Sequence, residues 1–235
     1  GWLTPFHLGV INALRDCHML SSNCIVSGSS GGAIAASVCN THISEKHALD
    51  MFVKATHKTR VMSNIDHTLK EMLRESLPIN SYQHCNDRLH ITVTQVSPKF
   101  QRSPTIISKF NSDEDLIQCI AASCFIPLYS APRLTTTFRG QQCIDGGVYA
   151  FQPPVGEITV SPLPRIGRYL PNPRRADIHP DLITGFGIPE SRLIKLAFMP
   201  GSPDVLFELF QAGNEAANVW ISSRSFTEPE KATTI

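Results

Sequence analysis

Apolar and polar residues at the start of the chain follow the helical period. The apolar positions recur every three to four residues, which predicts an amphipathic helix, and they comprise Phe6, Gly9, Val10, Ala13, Leu14 and Cys17. Thr4 is a favourable N-cap residue, and Pro5 suits the first helical position. The apolar run 24–26 predicts a short buried strand, and the small residues 33–38 predict a second helix. Helix, strand, tight turn and helix in this order indicate an α/β protein.

Similar patterns predict further elements along the chain. Helices are predicted at 45–56 and 68–75, strands at 89–94, 105–107, 143–144 and 157–160, and another helix after the N-cap residue Ser112, with Asp115 in the capping-box position. Residues 161–189 are rich in Pro, Arg and Asp, which favours a long surface excursion. A last helix follows, with an apolar stripe of Leu206, Leu209, Phe210, Gly213, Ala217 and Trp220. We expect this stripe to pack on the core, and insertion into a lipid surface is the alternative.

Composition narrows the class of protein. The chain has 235 residues, of which 42% are hydrophobic and 17% charged, and this balance suits a folded domain with its own core. The formal net charge is +1, and the Arg174–Arg175 pair is too short for a phosphate-binding arm, so we expect no nucleic acid partner. The sequence contains no signal peptide and no run of about 20 apolar residues, so no membrane-spanning helix is expected.

Cysteine usage indicates a reducing compartment. The chain has 7 cysteines, and no two of them are spaced as Cys-x-x-Cys. An odd number without this spacing argues against both a disulfide framework and a zinc ribbon. We therefore expect buried free thiols and a cytoplasmic protein.

One turn of the chain carries a pattern with chemical meaning. Gly28-x-Ser30-x-Gly32 matches the nucleophile elbow, a sharp strand-to-helix turn that exposes a serine hydroxyl. We expect a Cβ at either flanking glycine to clash with the neighbouring chain. The N-terminus of the following helix favours a developing anion, and the N–H of Gly31 is the expected oxyanion donor. A Gly- and Ser-rich turn without chemistry is the alternative.

A nucleophilic serine requires a base from elsewhere in the chain. In the usual order of serine, acid and histidine, His179 is the one histidine after Asp145, and its polar surroundings predict a solvated loop residue. Asp145 is the better candidate, because it follows two apolar strand residues and precedes Gly146 and Gly147, which permit a close backbone turn. A simple Asp-Gly turn is the alternative.

Together these motifs resemble the patatin-like phospholipase family, and within it the branch that includes adipose triglyceride lipase. The likeness covers most of residues 1–162 and, more loosely, the last helix. Residues 1–10 resemble the end of a glycine-rich oxyanion loop, represented by Gly1, and the helix after it. The other matching segments are the elbow 28–32, the Asp-Gly-Gly segment 144–148, and residues 123–130, 138–140 and 158–162.

The resemblance implies both a fold and a chemistry. The fold is a three-layer α/β/α sandwich with a mostly parallel sheet, formed by a hydrolase domain over 1–162 and an extension over 163–235. The chemistry is a Ser30–Asp145 dyad without histidine, in which Ser30 forms an acyl-enzyme and Asp145 moves the proton. The resemblance implies triacylglycerol as the first substrate and phospholipid as the second, taken from a lipid droplet or membrane surface, with no cofactor or metal. A phospholipase, an acyltransferase and a non-catalytic lipid-binding relative are the alternatives.

Two departures from the family pattern concern the neighbours of the dyad. Ser29 stands beside the nucleophile where many relatives carry a smaller residue such as Ala, which is a mild change. Residues 148–153, after the Asp-Gly-Gly motif, lack the polar Asn of many relatives. Within this segment Phe151 either lines an acyl pocket or packs against the core. The sequence does not identify an activator protein.

Overall fold

The computed structural model describes residues 1–21, 23–41, 43–58, 65–97, 99, 101–163 and 176–225. Its helices are α1 (Thr4–Asp16), α2 (Gly31–Asn40), α3 (Glu45–Lys58), α4 (Ile65–Ser76), α5 (Ser81–Cys85), α6 (Asp113–Ser123), α7 (Glu190–Phe198) and α8 (Pro203–Ser225). Its strands are β1 (Val26–Gly28), β2 (Leu89–Val96), β3 (Arg102–Ile107), β4 (Thr136–Phe138) and β5 (Gln141–Ile144). The Arg174–Arg175 pair and residues 164–175 of the predicted excursion lie outside the described residues.

Strand β2 is the centre of the sheet. It runs parallel to β1, with Val26 opposite Leu89, and antiparallel to both β3 and β5. Strand β4 pairs with β5, also in the antiparallel direction. The predicted α/β sandwich is confirmed, but the sheet is mixed rather than mostly parallel. The connections from β2 to β3 and from β4 to β5 are short, and a short connection joins antiparallel neighbours.

The alternation along β2 separates the apolar core from the candidate site. Leu89, Ile91 and Val93 are fully buried in the largest apolar cluster, against residues of α2, α3 and α6. Thr92 and Thr94 are also fully buried, and they lie on the opposite face because successive strand side chains alternate. The hydroxyl of Thr94 donates to the carbonyl of Asp145. One strand thus supports both the core and the candidate base.

Helices α1 and α8 cross in direct backbone contact at two glycines. A Cβ on Gly9 would lie 1.9 Å from the carbonyl oxygen of Phe210, and one on Gly213 would lie 1.9 Å from that of Phe6. Trp220, on the same helix, is buried in the apolar cluster between α1 and α8. The last helix therefore packs on the domain, as expected, and does not present its stripe to solvent.

The start of α1 differs from the sequence prediction. Leu3 is the N-cap residue, and Thr4 lies inside the first turn. The Thr4 hydroxyl donates to the carbonyl of Gly1 at 2.8 Å, and it lies 3.2 Å from the carbonyl oxygen of Gly31. Thr4 therefore holds the start of α1 against the elbow instead of capping the helix.

Two predicted strands also differ from the structure. Strand β1 begins at Val26, and Ile25, expected to be buried, is 56% exposed. Residues 157–160 form no strand, and Val160 makes a single bridge to Ile178. Asp177 Oδ2 accepts hydrogen bonds from both the N–H and the hydroxyl of Thr159. Such side-chain bonds replace the backbone ladder of a strand.

Two expectations about burial were wrong. His179, expected in solvent, is 3% exposed, because the adjacent Ile178 and the nearby Ile183 belong to the apolar cluster between α1 and α8. All the cysteines are free thiols, but Cys17 at the end of α1 is exposed. The buried ones are Cys39, Cys85, Cys119 and Cys143, and Cys24 and Cys124 are half-buried. The domain division at residue 162 stays a prediction.

Candidate active site

Ser30 occupies a strained turn between β1 and α2. Its backbone has φ 52° and ψ −129°, a conformation that non-glycine residues rarely adopt and that costs on the order of 1–3 kcal/mol. A Cβ on Gly28 would lie 2.2 Å from the carbonyl oxygen of Gly32, so position 28 has room for glycine alone. The sharp strand-to-helix turn that the sequence predicted is present.

The second close approach lies one residue earlier than expected. A Cβ on Gly32 would lie 3.7 Å from His7 Nε2, which is an ordinary van der Waals distance, so the clash predicted there was wrong. A Cβ on Gly31 would instead lie 2.7 Å from Thr4 Oγ1 and 2.8 Å from the nitrogen of Gly1. Glycine at 31 therefore lets the chain around Gly1 lie directly against the elbow.

The first turn of α2 leaves one backbone donor unused. The N–H of Gly32 donates to the carbonyl of Ser29, and that of Ala33 donates to the carbonyl of Ser30, both at 2.9 Å. The N–H of Gly31 has no hydrogen-bond partner among the described residues. A free N–H at a helix N-terminus, next to a serine hydroxyl, is the geometry of an oxyanion donor.

Ser123 is a site residue that sequence reasoning missed. It is the last residue of α6 and is fully buried. Its hydroxyl accepts the N–H of Ser30 at 2.9 Å and donates to the carbonyl of Thr92 at 2.7 Å. This one hydroxyl therefore ties the strained elbow to the central strand.

Asp145 directly follows β5 and is 5% exposed. Its N–H donates to the carbonyl of Phe125 at 2.7 Å, and its carbonyl accepts the Thr94 hydroxyl at 2.9 Å. The N–H of Gly147 donates to Oδ1 at 2.7 Å, and Oδ2 has no donor in full hydrogen-bond geometry. The backbone on both sides is fixed, and one carboxylate oxygen stays free for a proton.

The Asp-Gly-Gly motif places this carboxylate beside the elbow. A Cβ on Gly147 would lie 3.0 Å from Asp145 Oδ1 and 3.9 Å from Ser30 Cβ. A Cβ on Gly146 would lie 1.9 Å from the carbonyl oxygen of Thr92. Gly146 therefore lets the motif lie directly against β2, and Gly147 lies close to both the carboxylate and the serine.

Burial dominates the acidity of Asp145. It raises the pKa of the carboxyl group above its ordinary value of 3.8, while the Ser30 hydroxyl, as a hydrogen-bond donor, lowers it in part. A carboxyl group with a raised pKa is a stronger base once ionised. The two side chains thus interact, although the contact is longer or less well aligned than a full hydrogen bond.

A histidine lies near the elbow, but it is a poor proton acceptor. Burial lowers the pKa of His7, in α1, to about 4, so its ring is neutral near pH 7 and binds a proton weakly. Its Nδ1 has no hydrogen-bond partner among the described residues. Among those residues, no group of three or more His, Cys, Asp or Glu side chains is arranged to hold a metal ion.

Two cavities lie near the candidate site, the larger against the elbow and the smaller against Gly1. One has a volume of about 60 Å³ and reaches Gly1, and its apolar walls include Trp2, Ile34, Phe52, Leu69, Met72 and Ile126. The other has a volume of about 700 Å³, lies beside α1 and reaches Ser29 and Phe151. Phe151 lines this larger cavity and also packs on an apolar cluster around α7. Its packing is as expected, and its role in an acyl pocket stays a prediction.

Comparison with known proteins establishes the family. Residues 1–156 match the family model of patatin-like phospholipases. The chain belongs to the patatin-like phospholipase family. Human patatin-like phospholipase domain-containing protein 2 is 28% identical over 91% of this chain, and this match supports the predicted branch. None of the helices in the described ranges is long and apolar enough to cross a bilayer.

Other members named for transferase reactions are equally similar. Mouse omega-hydroxyceramide transacylase is 30% identical over 65% of this chain, and mouse 1-acylglycerol-3-phosphate O-acyltransferase Pnpla3 is 30% identical over 69%. The chain spans 26% of the transacylase, 41% of the acyltransferase and 45% of the human phospholipase-domain protein. The family therefore includes lipid hydrolases and acyltransferases.

Proposed function

We propose that the protein hydrolyses the carboxylic esters of acylglycerols, triacylglycerol first, through Ser30 and Asp145. The observation that carries this proposal is the juxtaposition of Ser30, in its strained elbow, with the buried and incompletely bonded carboxylate of Asp145. The substrate class rests on the motif resemblance to the branch that includes adipose triglyceride lipase, and the human relative that matches 91% of the chain is named for a phospholipase domain. We further propose that the protein works at the surface of lipid droplets or membranes in the cytoplasm.

The proposed reaction has two halves. The Ser30 hydroxyl oxygen attacks the ester carbonyl while its proton passes to Asp145, and the Gly31 N–H donates to the resulting oxyanion. The carbon–oxygen bond to the alcohol breaks, the alcohol leaves with the proton from Asp145, and the acyl group stays on Ser30. Water then gives a proton to Asp145 and attacks the acyl carbonyl. Ser30 is released with that proton, and the fatty acid leaves.

The environment of Asp145 suits this use of a carboxylate. Asp in water, with a pKa of about 3.9, is a weak base. Burial raises the pKa of Asp145, which brings its basicity closer to that of a general base working near neutral pH. The N–H of Gly147 holds Oδ1, so proton transfer is assigned to Oδ2. No metal or cofactor is part of this proposal.

Labelling with a serine-reactive fluorophosphonate tests the dyad. Wild-type protein should become labelled, Ser30→Ala should not, and Asp145→Asn should label at least about 100-fold more slowly, since general-base catalysis contributes about 10²–10⁴. Ser29→Ala is the matched control, because Ser29 is adjacent but out of register with the elbow, and it should label like wild type. Absence of labelling in folded wild-type protein would refute the hydrolase and favour a lipid-binding relative without catalysis.

Acyl transfer is the second candidate function. It is favoured by the two similar proteins named as a transacylase and an acyltransferase. The acyl-enzyme on Ser30 is common to both reactions, and the acceptor, water or a lipid hydroxyl, separates them. Incubation with labelled triacylglycerol, with and without diacylglycerol or lysophosphatidic acid, decides between them. Free fatty acid as the main product supports hydrolysis, and label on the added acceptor supports transfer.

A further inference from the structure

Exposed apolar side chains lie on α7, directly after it, and beside Tyr129, which lines the small cavity. Leu128 is 69% exposed, Met199 56%, Phe198 45% and Ile194 36%. These four residues are called the apolar rim below. Ile194 and Phe198 are four residues apart on α7 and so share one side of the helix, while Leu193 and Leu196 on its other side are buried. Helix α7 therefore presents apolar side chains to the core and, at Ile194 and Phe198, to solvent as well.

Direct contacts join the rim to the candidate active site. The ring of Phe198 packs edge-to-face on that of Tyr129 at 5.8 Å between centroids, and the Tyr129 hydroxyl donates to the Phe198 carbonyl. The N–H of Trp2 lies 3.4 Å from the Ala197 carbonyl oxygen, to which it donates. Tyr129 and Trp2 both line the cavity of about 60 Å³ that reaches Gly1. A molecule bound at the rim is thus next to residues that line this cavity, and the cavity reaches Gly1, which lies against Gly31 of the elbow.

The backbone of Leu128 is in an unfavourable conformation, and its side chain is exposed to solvent. Leu128 has φ 61°, a left-handed conformation that costs a non-glycine residue roughly 1–2 kcal/mol. Its N–H donates to the Arg133 carbonyl at 3.0 Å, which fixes the turn. Strain that exposes a leucine does not stabilise the isolated domain, and such strain concentrates at binding sites.

The charges around the rim indicate what covers it. Arg192 and Lys195 lie on the exposed side of α7 and form no ion pair with any described residue. Glu190, at the first position of α7, lies four residues before Ile194 and is the acidic residue of this helix, so the two cations outnumber it. An apolar face on a helix with this net positive charge matches a bilayer or monolayer surface, where apolar side chains enter the acyl region and cations meet anionic headgroups. Phe198 and its neighbours would then bring the cavity at Gly1 to the lipid phase.

We propose that the apolar rim is the docking surface for a lipid layer carrying anionic headgroups. This inference rests on the proposed function for its substrate, because it places the elbow where an acyl chain leaves the lipid phase. Its geometry stands independently, on the exposure of Leu128 and Met199, the cations of α7 and the contacts to Tyr129 and Trp2.

Vesicle binding tests the rim without hydrolysis. In a Ser30→Ala background, flotation with vesicles of phosphatidylcholine and phosphatidylserine is compared for L128Q/M199Q and a matched control, I79Q/V219Q. Ile79 is 88% exposed and Val219 40%, so the control also replaces two exposed apolar side chains. Val219 lies on a different helix from the rim, about 24 Å along α8 from Pro203, where that helix begins. The rim variant should bind about tenfold more weakly or worse, because each inserted apolar side chain contributes to partitioning, and the control should bind like its parent.

The outcomes separate this proposal from the proposed function. With Ser30 intact, L128Q/M199Q should hydrolyse a soluble short-chain ester at the wild-type rate and emulsified triacylglycerol about tenfold more slowly. Wild-type protein that hydrolyses neither ester would refute the proposed function, and the flotation result would still stand. Equal vesicle binding by the rim variant, its control and their parent would overturn the docking surface. Equal loss in the rim variant and the control would also overturn it.

Discussion

Replacing Ser123 with alanine should weaken the elbow more than any comparable surface change. The substitution removes the hydroxyl that accepts the Ser30 N–H at 2.9 Å and donates to the Thr92 carbonyl at 2.7 Å. Each of two hydrogen bonds contributes about 1 kcal/mol, and a buried backbone group left without a partner costs a further 1–3 kcal/mol or so. We expect a loss of about 3–5 kcal/mol in the free energy of unfolding, which lowers Tm by roughly 6–20 °C for a chain of this size.

The same substitution should slow the chemistry for a reason beyond stability. Ser30 has a strained backbone, which relaxes once its N–H loses the Ser123 hydroxyl. The Ser30 hydroxyl then moves away from Asp145. A displacement of about 1 Å at a reacting group can cost on the order of 100-fold in rate. The rate of fluorophosphonate labelling, measured at a temperature where the variant is fully folded, should therefore fall by about 10- to 100-fold.

Ser130→Ala is the matched control for Ser123→Ala. Ser130 is also buried, and its hydroxyl also has two partners, the Ile126 N–H at 2.9 Å and the Cys124 carbonyl oxygen at 3.2 Å. It does not contact the elbow. We expect a similar loss of stability and an unchanged labelling rate. If Ser123→Ala labels as fast as Ser130→Ala, the view that Ser123 positions Ser30 is wrong.

Three further substitutions test other parts of the structure. Gly28→Ala places a Cβ 2.2 Å from the carbonyl of Gly32 and should cost about 3 kcal/mol or more, measured by urea unfolding; Gly187→Ala, where a Cβ meets nothing within 4 Å, is the control. Gly213→Ala should push α8 away from α1 and so lower Tm. An unchanged Tm would contradict the close packing of these two helices. Asp145→Asn should raise Tm near pH 7. Burial raises the folded-state pKa of Asp145, so the wild-type protein loses stability as pH rises and this carboxyl group ionises. The gain in Tm should vanish in acid, and a lower Tm near pH 7 would contradict this. The labelling rate of wild-type protein should rise with pH through a pKa above 3.8, since only ionised Asp145 accepts a proton; a rate independent of Asp145 ionisation would argue against its role as base.

Local patterns were sufficient to predict the elements next to the site. The alternation over 89–94 predicted β2, and Ser112 is the N-cap residue of α6, with its hydroxyl accepting the Asp115 N–H at 3.1 Å. The elbow and the Asp-Gly-Gly turn were recognisable because each has a glycine that the close backbone approach requires, Gly28 and Gly146, beside a candidate catalytic side chain. Such requirements act over a few residues, and they leave a visible pattern in the sequence.

Features that depend on distant contacts were not predictable. Ser123 is 93 residues from Ser30 along the chain and binds it through a backbone N–H, which no sequence pattern records. Helix α7 was missed because Ile194 and Phe198 interrupt the polar face that the helical period requires. His179 is polar, but it is buried because its neighbours Ile178 and Ile183 pack in an apolar cluster. In each case tertiary packing decided the outcome.

The features proposed for catalysis are those that cost the fold stability. The backbone at Ser30 is strained, Asp145 is buried with an incompletely bonded carboxylate, and the Gly31 N–H lacks a partner among the described residues. None of these stabilises the folded chain, and each complements a charge or proton that appears during acyl transfer. They are held by contacts that do stabilise it, namely the close crossing of α1 and α8 and the fixed backbone around Asp145. Variants that relax the site should therefore gain stability as they lose activity, whereas variants at its supports should lose both.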